Sequence, residues 1–294
     1  MSIQLFARGD RLGANIFNFL TQVIYAVHNK LYIKYDRNNL SSGDHEPYNI
    51  NYNKSIFIET IFDYIDNYNK TFITIPSENI NIKTNDFFLM MSRSVLNVKC
   101  DLITYFRENI FNSIKDNFYN KSLSKNYQVP FDPKKTILVH LRMDDCKYRN
   151  VYDGRVCSNY FRKIMNRDET PNNTLHHNLI QIYYCNHQTP EPFHKIQEQI
   201  NIILSKHPDY EVIIITNPGE ELKNIPYRKI QNEDESLDLF LLCNSEIVIF
   251  SKSTFALSSL FFGMVKKAYI PLWGHLPCFG LYTKYDKQQY NYFV

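Results

Sequence analysis

Four short apolar runs in the second half of this 294-residue chain constrain its fold more than any other feature. They occupy residues 136–141, 180–185, 211–216 and 246–250, and 268–271 is a candidate fifth. Each run has the length of a β-strand and is apolar on both faces, as is typical of a parallel sheet covered by helices. Helical patterns separate the runs, at 193–205, 236–243 and 254–265. The pattern predicts an α/β fold with a doubly wound parallel sheet.

The first half of the chain also begins as an α/β protein. Apolar residues recur at helical spacing between residues 12 and 27, and strand-like segments flank them at 2–6 and 31–35. Further patterns predict a helix at 56–68, a strand at 71–75 and a helix at 101–118. Segment 121–133 is polar, contains two prolines and shows no periodicity. We therefore predict two domains, 1–130 and 131–294.

Charge and hydropathy exclude several classes of protein. The chain carries 33 basic and 30 acidic side chains, a net charge of +3, so nothing in its charge favours a nucleic-acid partner. No stretch approaches the ~18 uninterrupted apolar residues of a spanning helix. The first residues do not combine a basic segment with a long apolar one. We expect a soluble, cytoplasmic protein with no membrane span.

The six cysteines are scattered along the chain. No two of them form a C-x-x-C pair, and no pair of histidines completes a zinc pattern. This spacing favours buried free thiols in a reducing compartment over a disulfide framework or a metal site.

Polar side chains follow three of the predicted strands at the point where each strand ends. Segment 140–145 follows the first run, 217–219 follows the third, and 251–254 follows the fourth and begins a helix. Ligands of open parallel sheets bind beyond the carboxyl ends of the strands. Arg142 offers a planar fork of donors for phosphate oxygens, and Ser253 and Thr254 offer hydroxyls beside a helix N-terminus. The three segments together predict a diphosphate site that has neither a P-loop nor a metal cage.

Each of these residues also has a structural interpretation. Arg142 alone is typical of a surface ion pair, and Ser253 with Thr254 is typical of a helix N-cap. His140 at a strand end is typical of a packed, hydrogen-bonded residue, and Asp144 with Asp145 of a turn. Their common place at one edge of the predicted sheet favours the functional interpretation.

Three segments resemble motifs of the α1,2-, α1,6- and protein O-fucosyltransferase superfamily. His140-Leu-Arg142-Met-Asp144-Asp145 resembles its H-x-R-R-x-D motif. Segment 12–19, LGANIFNF, resembles the L-G-N-Q-M-F-Q-Y segment of the α1,2-fucosyltransferases. Segments 238–243 and 251–255 are similar to that family's acidic-apolar-Cys stretch and its S-x-S-S-F-S-W-W segment. The motifs follow in the same order from Arg11 to Phe262.

The resemblance implies a GT-B fold, with two Rossmann-like domains facing across a cleft. Residues 1–130 would form the acceptor-side domain and 131–294 the domain that binds the nucleotide sugar. It implies an inverting glycosyltransferase that uses no metal and no other cofactor. The enzyme would transfer a sugar, GDP-fucose being the first candidate donor, to a hydroxyl of a glycan or glycoconjugate. Donor-binding residues would be Arg11, Gly13, Asn15, His140, Arg142, Asp238, Ser251, Ser253, Thr254 and Phe255.

The resemblance also implies the catalytic roles. Inverting transfer is an in-line displacement, and the leaving diphosphate gains negative charge as the glycosidic bond breaks. Arg142 and the helix start after Ser251 would stabilise that charge. A carboxylate would accept the proton of the acceptor hydroxyl. Asp144 and Asp145 are the first candidates for this base, and Asp10 is a third.

The chain departs from the family pattern at several positions. Met143 stands in place of the second arginine, Ala14-Asn15 in place of the Asn-Gln pair, and Leu257-Ser258 in place of the Trp pair. The absence of a membrane anchor makes bacterial or viral relatives a better comparison than Golgi enzymes. Three alternatives stay open: another donor sugar such as xylose or rhamnose, a non-catalytic nucleotide- or carbohydrate-binding protein, and a structural protein that merely mimics the motifs.

Overall fold

The computed structural model describes most of the chain in separate stretches. These are residues 1–7, 12–37, 55–80, 105, 108–142, 191–220, 222, 225–271 and 289–293. The predicted strand at 180–185 lies outside them. The chain divides into two compact units, Met1–Tyr127 and Gln128–Val294.

The amino-terminal unit holds a three-stranded parallel sheet. Its elements are β1 Ser2–Gln4, α1 Leu12–His28, β2 Tyr32–Lys34, α2 Ile56–Asn69, β3 Asn79–Ile80 and α3 Phe111–Ser124. The strand order is β2-β1-β3, and Ile3 of the central strand pairs with Ile33 and Ile80. Side chains of α1, including Ile16, Phe19 and Val23, are fully buried. The predicted strand–helix–strand opening is confirmed.

Two predictions in this unit are wrong. Segment 71–75 forms turns and bends, and Ile73 and Ile75 are exposed, so their β-branched side chains do not indicate a paired strand. The second strand that pairs with β1, beside β2, is β3, which lies a few residues further on. Helix α3 runs to Ser124, past the predicted end at Phe118 and into the polar, aperiodic segment 121–133. Phe118 and Ser122 are buried there, so packing extends the helix beyond its apolar pattern.

The carboxyl-terminal unit holds a six-stranded sheet in which every described pair of neighbours is parallel. Its strands are β4 Thr136–His140, β5 Glu211–Ile215, β6 Arg228–Ile230, β7 Ile247–Ile249, β8 Lys267–Pro271 and β9 Gln289–Phe293. Its helices are α4 Phe193–Leu204, α5 Glu235–Cys243 and α6 Thr254–Phe262.

The strand order of this sheet, β6-β5-β4-β7-β8-β9, defines one place where the chain reverses direction across the sheet. The chain starts in the middle with β4, builds outward to β6, and then returns to the other side of β4 with β7. This is the order of a doubly wound Rossmann-type sheet, whose ligands bind at the switch point between the two central strands. The switch point here lies between β4 and β7.

The apolar runs predicted from the sequence form the central strands of the sheet, where their side chains are buried. All five residues of β4 and all three of β7 are buried, which is typical of strands that are covered on both faces. Helix α4 buries Ile196, Ile200 and Ile203, which recur at helical spacing. The predictions for β4, β5, β7, β8 and the three helices are confirmed. Strands β6 and β9 were not predicted, because neither contains a continuous apolar run.

Two smaller expectations concern the rest of the fold. Within the described stretches, no helix is both long enough and apolar enough to cross a bilayer. Cys243, at the end of α5, is a fully buried cysteine that is not part of a disulfide, as predicted for it. The other five cysteines lie outside the described residues.

Candidate functional site

The carboxyl ends of the central strands form one continuous edge. Main-chain hydrogen bonds join the strands just beyond their ends: Leu141 N–H donates to Ile215 O at 2.9 Å, and Thr216 N–H to Ile230 O at 3.2 Å. Strands β4 and β7 are parallel neighbours, so the segments after them also meet at this edge. The predicted convergence of residues after 140 and after 250 is therefore present in the fold.

Ser251 joins the two segments at the switch point. Its Oγ lies 2.9 Å from His140 Nδ1 and accepts a hydrogen bond from Arg142 N–H at 3.0 Å. Ser251 and His140 are both buried, so these contacts are shielded from water. These two hydrogen bonds thus fix the end of β4 against the loop after β7. They join residues that are separated by 111 and 109 positions in the sequence.

The Arg142 side chain lies along the same loop. Its Nη1 donates to the carbonyl oxygen of Lys252 at 3.2 Å. A guanidinium carries its N–H donors in a planar fork, and this fork matches the oxygens of a phosphate. The arginine predicted to hold a diphosphate is therefore held directly beside segment 251–254.

Helix α6 begins where this loop ends. Ser253 is its N-cap, and its Oγ accepts from Ala256 N–H at 3.4 Å. The N-cap interpretation of Ser253 is thus confirmed, and it leaves the hydroxyl proton of Ser253 able to donate. The N–H groups of Thr254 and Phe255 lie in the first helical turn and have no intrahelical acceptor. With the helix dipole, they favour an anion at this position.

His140 is held in its uncharged form. Burial is the main cause that lowers its pKa from 6.5 to about 3, and the charge of Arg142 adds to the effect. Its ring lies near that of Phe255, with 6.0 Å between the ring centroids. A neutral, packed imidazole bonded to Ser251 orients the loop, and it carries no charge toward a phosphate near pH 7.

Asp238 lies in the first turn of α5, which also begins at the carboxyl edge of the sheet. Its Oδ1 accepts from Asn232 Nδ2 at 2.7 Å. Burial raises its pKa to about 7; the Asn232 hydrogen bond opposes this shift, and the charges of Glu235 and Asp234 add to it. The carboxyl group can therefore gain or lose a proton near neutral pH. Asp234 itself is the N-cap of α5 and accepts from Ser236 N–H at 2.9 Å.

The remaining predicted residues belong to the amino-terminal unit or lie outside the described stretches. Gly13 and Asn15 are buried in the first turns of α1. Further along α1, Gln22 Oε1 accepts from Phe6 N–H at 3.1 Å and its Nε2 donates to Phe6 O at 2.9 Å, which fixes the chain beyond β1. Arg11, Asp10, Asp144 and Asp145 fall outside the described residues.

The structure also places an ion pair at this edge that sequence reasoning missed. Lys252 Nζ lies 3.1 Å from Glu191 Oε2, and the side chains are only 16% and 2% exposed. Lys252 could have been noticed from its place between Ser251 and Ser253. Glu191 precedes α4 in a segment without any motif, so no signal in the sequence indicated it.

The donors gathered at the switch point suit an anion better than a metal ion. Among the residues that the structure describes, no three side chains of His, Cys, Asp or Glu come together in a way that would hold a metal. The groups that do gather here are a guanidinium, hydroxyls and main-chain N–H groups, a set suited to phosphate oxygens.

Comparisons with known proteins give a distant structural likeness. The sequence matches no protein-family model and no curated protein. The chain is similar to the crystal structure of POFUT1 in complex with GDP, with a TM-score of 0.39 and 10% identity over 99% of this chain and 98% of that one. It is similar to POFUT1 in complex with GDP-fucose at the same TM-score and identity, over 99% of this chain and 97% of that one.

Proposed function

We propose that this protein is an inverting, metal-independent glycosyltransferase that transfers a sugar from a nucleoside diphosphate to a hydroxyl of a glycan. One observation carries the proposal: the Arg142 guanidinium and the N-terminus of α6 lie together at the switch point of a doubly wound sheet. The finer assignments belong to the proposal too. These are a GT-B fold, an acceptor-binding amino-terminal unit and fucose as the first candidate sugar, and they rest on the motifs at 12–19, 140–145 and 251–255.

The proposed chemistry is a single displacement. The acceptor oxygen forms a bond to the anomeric carbon while the bond from that carbon to the diphosphate oxygen breaks. The leaving diphosphate takes the electron pair, and the proton of the acceptor hydroxyl passes to a carboxylate. Asp144, Asp145 and Asp10 remain the candidates for that base.

Arg142 and α6 would act on the charge that develops on the diphosphate. The guanidinium, the Ser253 and Thr254 hydroxyls and the first N–H groups of α6 are fixed before reaction, so little reorganisation is needed as charge accumulates. His140 and Ser251 would support this arrangement indirectly, since Ser251 Oγ contacts His140 Nδ1 and accepts from the main-chain N–H of Arg142. Their proposed role is to position Arg142 and the loop.

Asp238 would contact the base of the nucleotide. Guanine presents N–H donors on its Watson–Crick edge, and a carboxylate accepts two such bonds well. This residue is therefore the proposed source of a preference for GDP over UDP. Its position near the carboxyl edge supports the assignment, because α5 begins at that edge.

The first experiment is a titration with nucleotides. GDP, UDP and ADP would be compared by calorimetry and by thermal unfolding of the full chain. A nucleotide at ~100 times its Kd should raise the free energy of unfolding by ~2.7 kcal/mol. The expected order is GDP first, and the nucleotide that binds then selects the donors for transfer assays with oligosaccharide acceptors.

The outcomes separate the candidate functions. Binding of GDP with transfer of fucose supports the proposal as stated, and transfer of xylose or rhamnose changes only the sugar. Binding without transfer from any donor would favour a non-catalytic nucleotide-binding protein, the candidate that the substitutions Met143 and Ala14 favour. No binding of any nucleotide would contradict the proposal.

A further inference from the structure

The ion pair between Glu191 and Lys252 stands out because it is buried at the edge of a sheet. Glu191 precedes α4 and Lys252 follows β7, so the pair joins two segments 61 residues apart. A buried pair loses much hydration, and its attraction repays this loss only where the geometry is good. Glu191 Oε2 makes no hydrogen bond of ordinary geometry, so its 3.1 Å contact with Lys252 Nζ is ionic rather than directional. Such a pair is a poor device for stability alone.

The backbone of Lys252 connects this pair to Arg142. The carbonyl oxygen of Lys252 accepts the hydrogen bond from Arg142 Nη1, while its side chain contacts Glu191. On either side of Lys252, Ser251 accepts from Arg142 N–H and Ser253 caps α6. Anything that fixes Lys252 therefore fixes the acceptor for the guanidinium and the start of the helix together.

We propose that Glu191 and Lys252 are positioning residues, which hold the loop 251–253 so that Arg142 presents its guanidinium to the diphosphate. The inference rests on the function proposed above. Glu191 also neutralises the Lys252 ammonium, so that Arg142, and not Lys252, is the cation presented to the ligand by the described residues here. Lys252 thus acts through its main chain, and its charge serves to hold it in place.

The test measures whether the ion pair acts through Arg142. GDP affinity would be measured by calorimetry for the Glu191→Gln variant and for the Glu191→Gln/Lys252→Met double variant. The double variant guards against loss of folding, because replacing both members of a buried pair leaves no uncompensated charge. Each would be made with Arg142 intact and with Arg142→Lys, which keeps a cation but loses the fork that reaches the Lys252 carbonyl.

We expect both variants to weaken GDP binding about tenfold when Arg142 is present. In the Arg142→Lys background they should weaken it less than about twofold, because the contact they support is already absent. Lys252→Arg keeps the charge and should retain most of the affinity. Glu246→Gln is the matched control: its ion pair with Lys266 spans 2.7 Å in the same unit, but Lys266 is 62% exposed and Glu246 precedes the amino end of β7. This control should leave GDP affinity unchanged.

Three results would overturn the inference. Unchanged GDP affinity in both variants would show that the pair is only structural. Equal losses with Arg142 and with Arg142→Lys would show that it does not act through Arg142. Tighter binding in Glu191→Gln would show that the freed ammonium itself contacts the phosphates. Failure of the wild-type protein to bind any nucleotide is a separate result, and it would overturn the proposed function and this inference together.

Discussion

His140 Nδ1 lies 2.9 Å from Ser251 Oγ, and this contact joins the end of one central strand to the loop after its neighbour. Both residues are buried, and the same Ser251 oxygen accepts from Arg142 N–H. Loss of either partner would leave a buried polar group without its hydrogen bond, which costs roughly 1–3 kcal/mol of stability. The contacts of Ser251 therefore hold the main chain of Arg142 at the carboxyl edge of the sheet, beside the switch point.

Replacing Arg142 should nearly abolish sugar transfer with little effect on stability. In Arg142→Ala, turnover should fall by ~10²–10³-fold if the guanidinium stabilises the leaving diphosphate. The loss of the hydrogen bond to Lys252 O should cost only about 1 kcal/mol of the free energy of unfolding. Transfer assays and urea unfolding measure the two effects.

Arg228→Ala is the matched control for this variant. Arg228 Nη1 also donates to a main-chain carbonyl, that of Pro130 at 3.1 Å, but it stands at the amino end of β6. Turnover in this variant should stay near that of the wild type. Normal transfer by Arg142→Ala would show that the site has been placed wrongly.

Acidification should destabilise the protein through His140. The pKa of His140 is about 3 in the folded chain, against 6.5 as its ordinary value, so between these pH values only the unfolded chain binds the proton. The contribution of His140 to stability is present above pH 6.5 and is lost as the pH falls toward 3. In His140→Asn, the loss of stability between pH 7 and pH 4 should be smaller by up to roughly 3 kcal/mol. Denaturant unfolding at several pH values tests this, and identical slopes for both proteins would contradict it.

Asp238 should give a pH dependence of the opposite sign. Its pKa is about 7 in the folded chain and 3.8 as its ordinary value, so between these values only the folded chain keeps the proton. The stability that Asp238 contributes is present below about pH 4 and is lost as the pH rises to 7. As the pH rises from about 4 to 7, the free energy of unfolding of Asp238→Asn should therefore increase relative to that of the wild type by up to roughly 4 kcal/mol. Above pH 7 the difference between the two proteins should stay constant. A constant difference from pH 4 to pH 8 would refute the assignment.

Gly263 should not accommodate a side chain, because it lies directly after α6 and packs against the main chain at the end of α5. A Cβ there would lie 2.6 Å from the carbonyl oxygen of Ser259 and 2.8 Å from both Cα and O of Cys243. These are main-chain atoms, so Gly263→Ala should destabilise the protein by about 1–3 kcal/mol as an overpacked site. Thermal unfolding measures the loss.

Gly219 provides the comparison for this prediction. It has a φ of +79°, and a Cβ added there would meet no atom within 4 Å, so conformation and not space restricts it. Gly219→Ala should cost about 1 kcal/mol, and Gly219→Asn should recover part of it, since asparagine adopts left-handed backbone more easily. Recovery by asparagine at position 263 as well would argue against the packing explanation.

The local pattern of the chain determined the central elements of the sheet. Strands β4, β5, β7 and β8 could be predicted because burial on both faces demands continuous apolar residues, which are visible in sequence. Strand β6 reads Arg-Lys-Ile and is largely exposed at the sheet edge, so its pairing with β5 gives it a strand conformation that its composition does not indicate. Segment 71–75 shows the converse, since its β-branched residues form turns and bends.

The sequence by itself also supplied the chemical groups of the candidate site, because a strand end followed by arginine and another followed by serines are local features. Only the tertiary structure decided that His140 and Ser251 bond across the switch point, and that Glu191 pairs with Lys252. The reason is that the order of the strands brings into contact residues that are separated by between 61 and 111 positions in the sequence. No local pattern encodes which strand lies beside which. Burial then sets the protonation of His140 and Asp238, which depends on the water excluded by neighbours that the sequence does not identify.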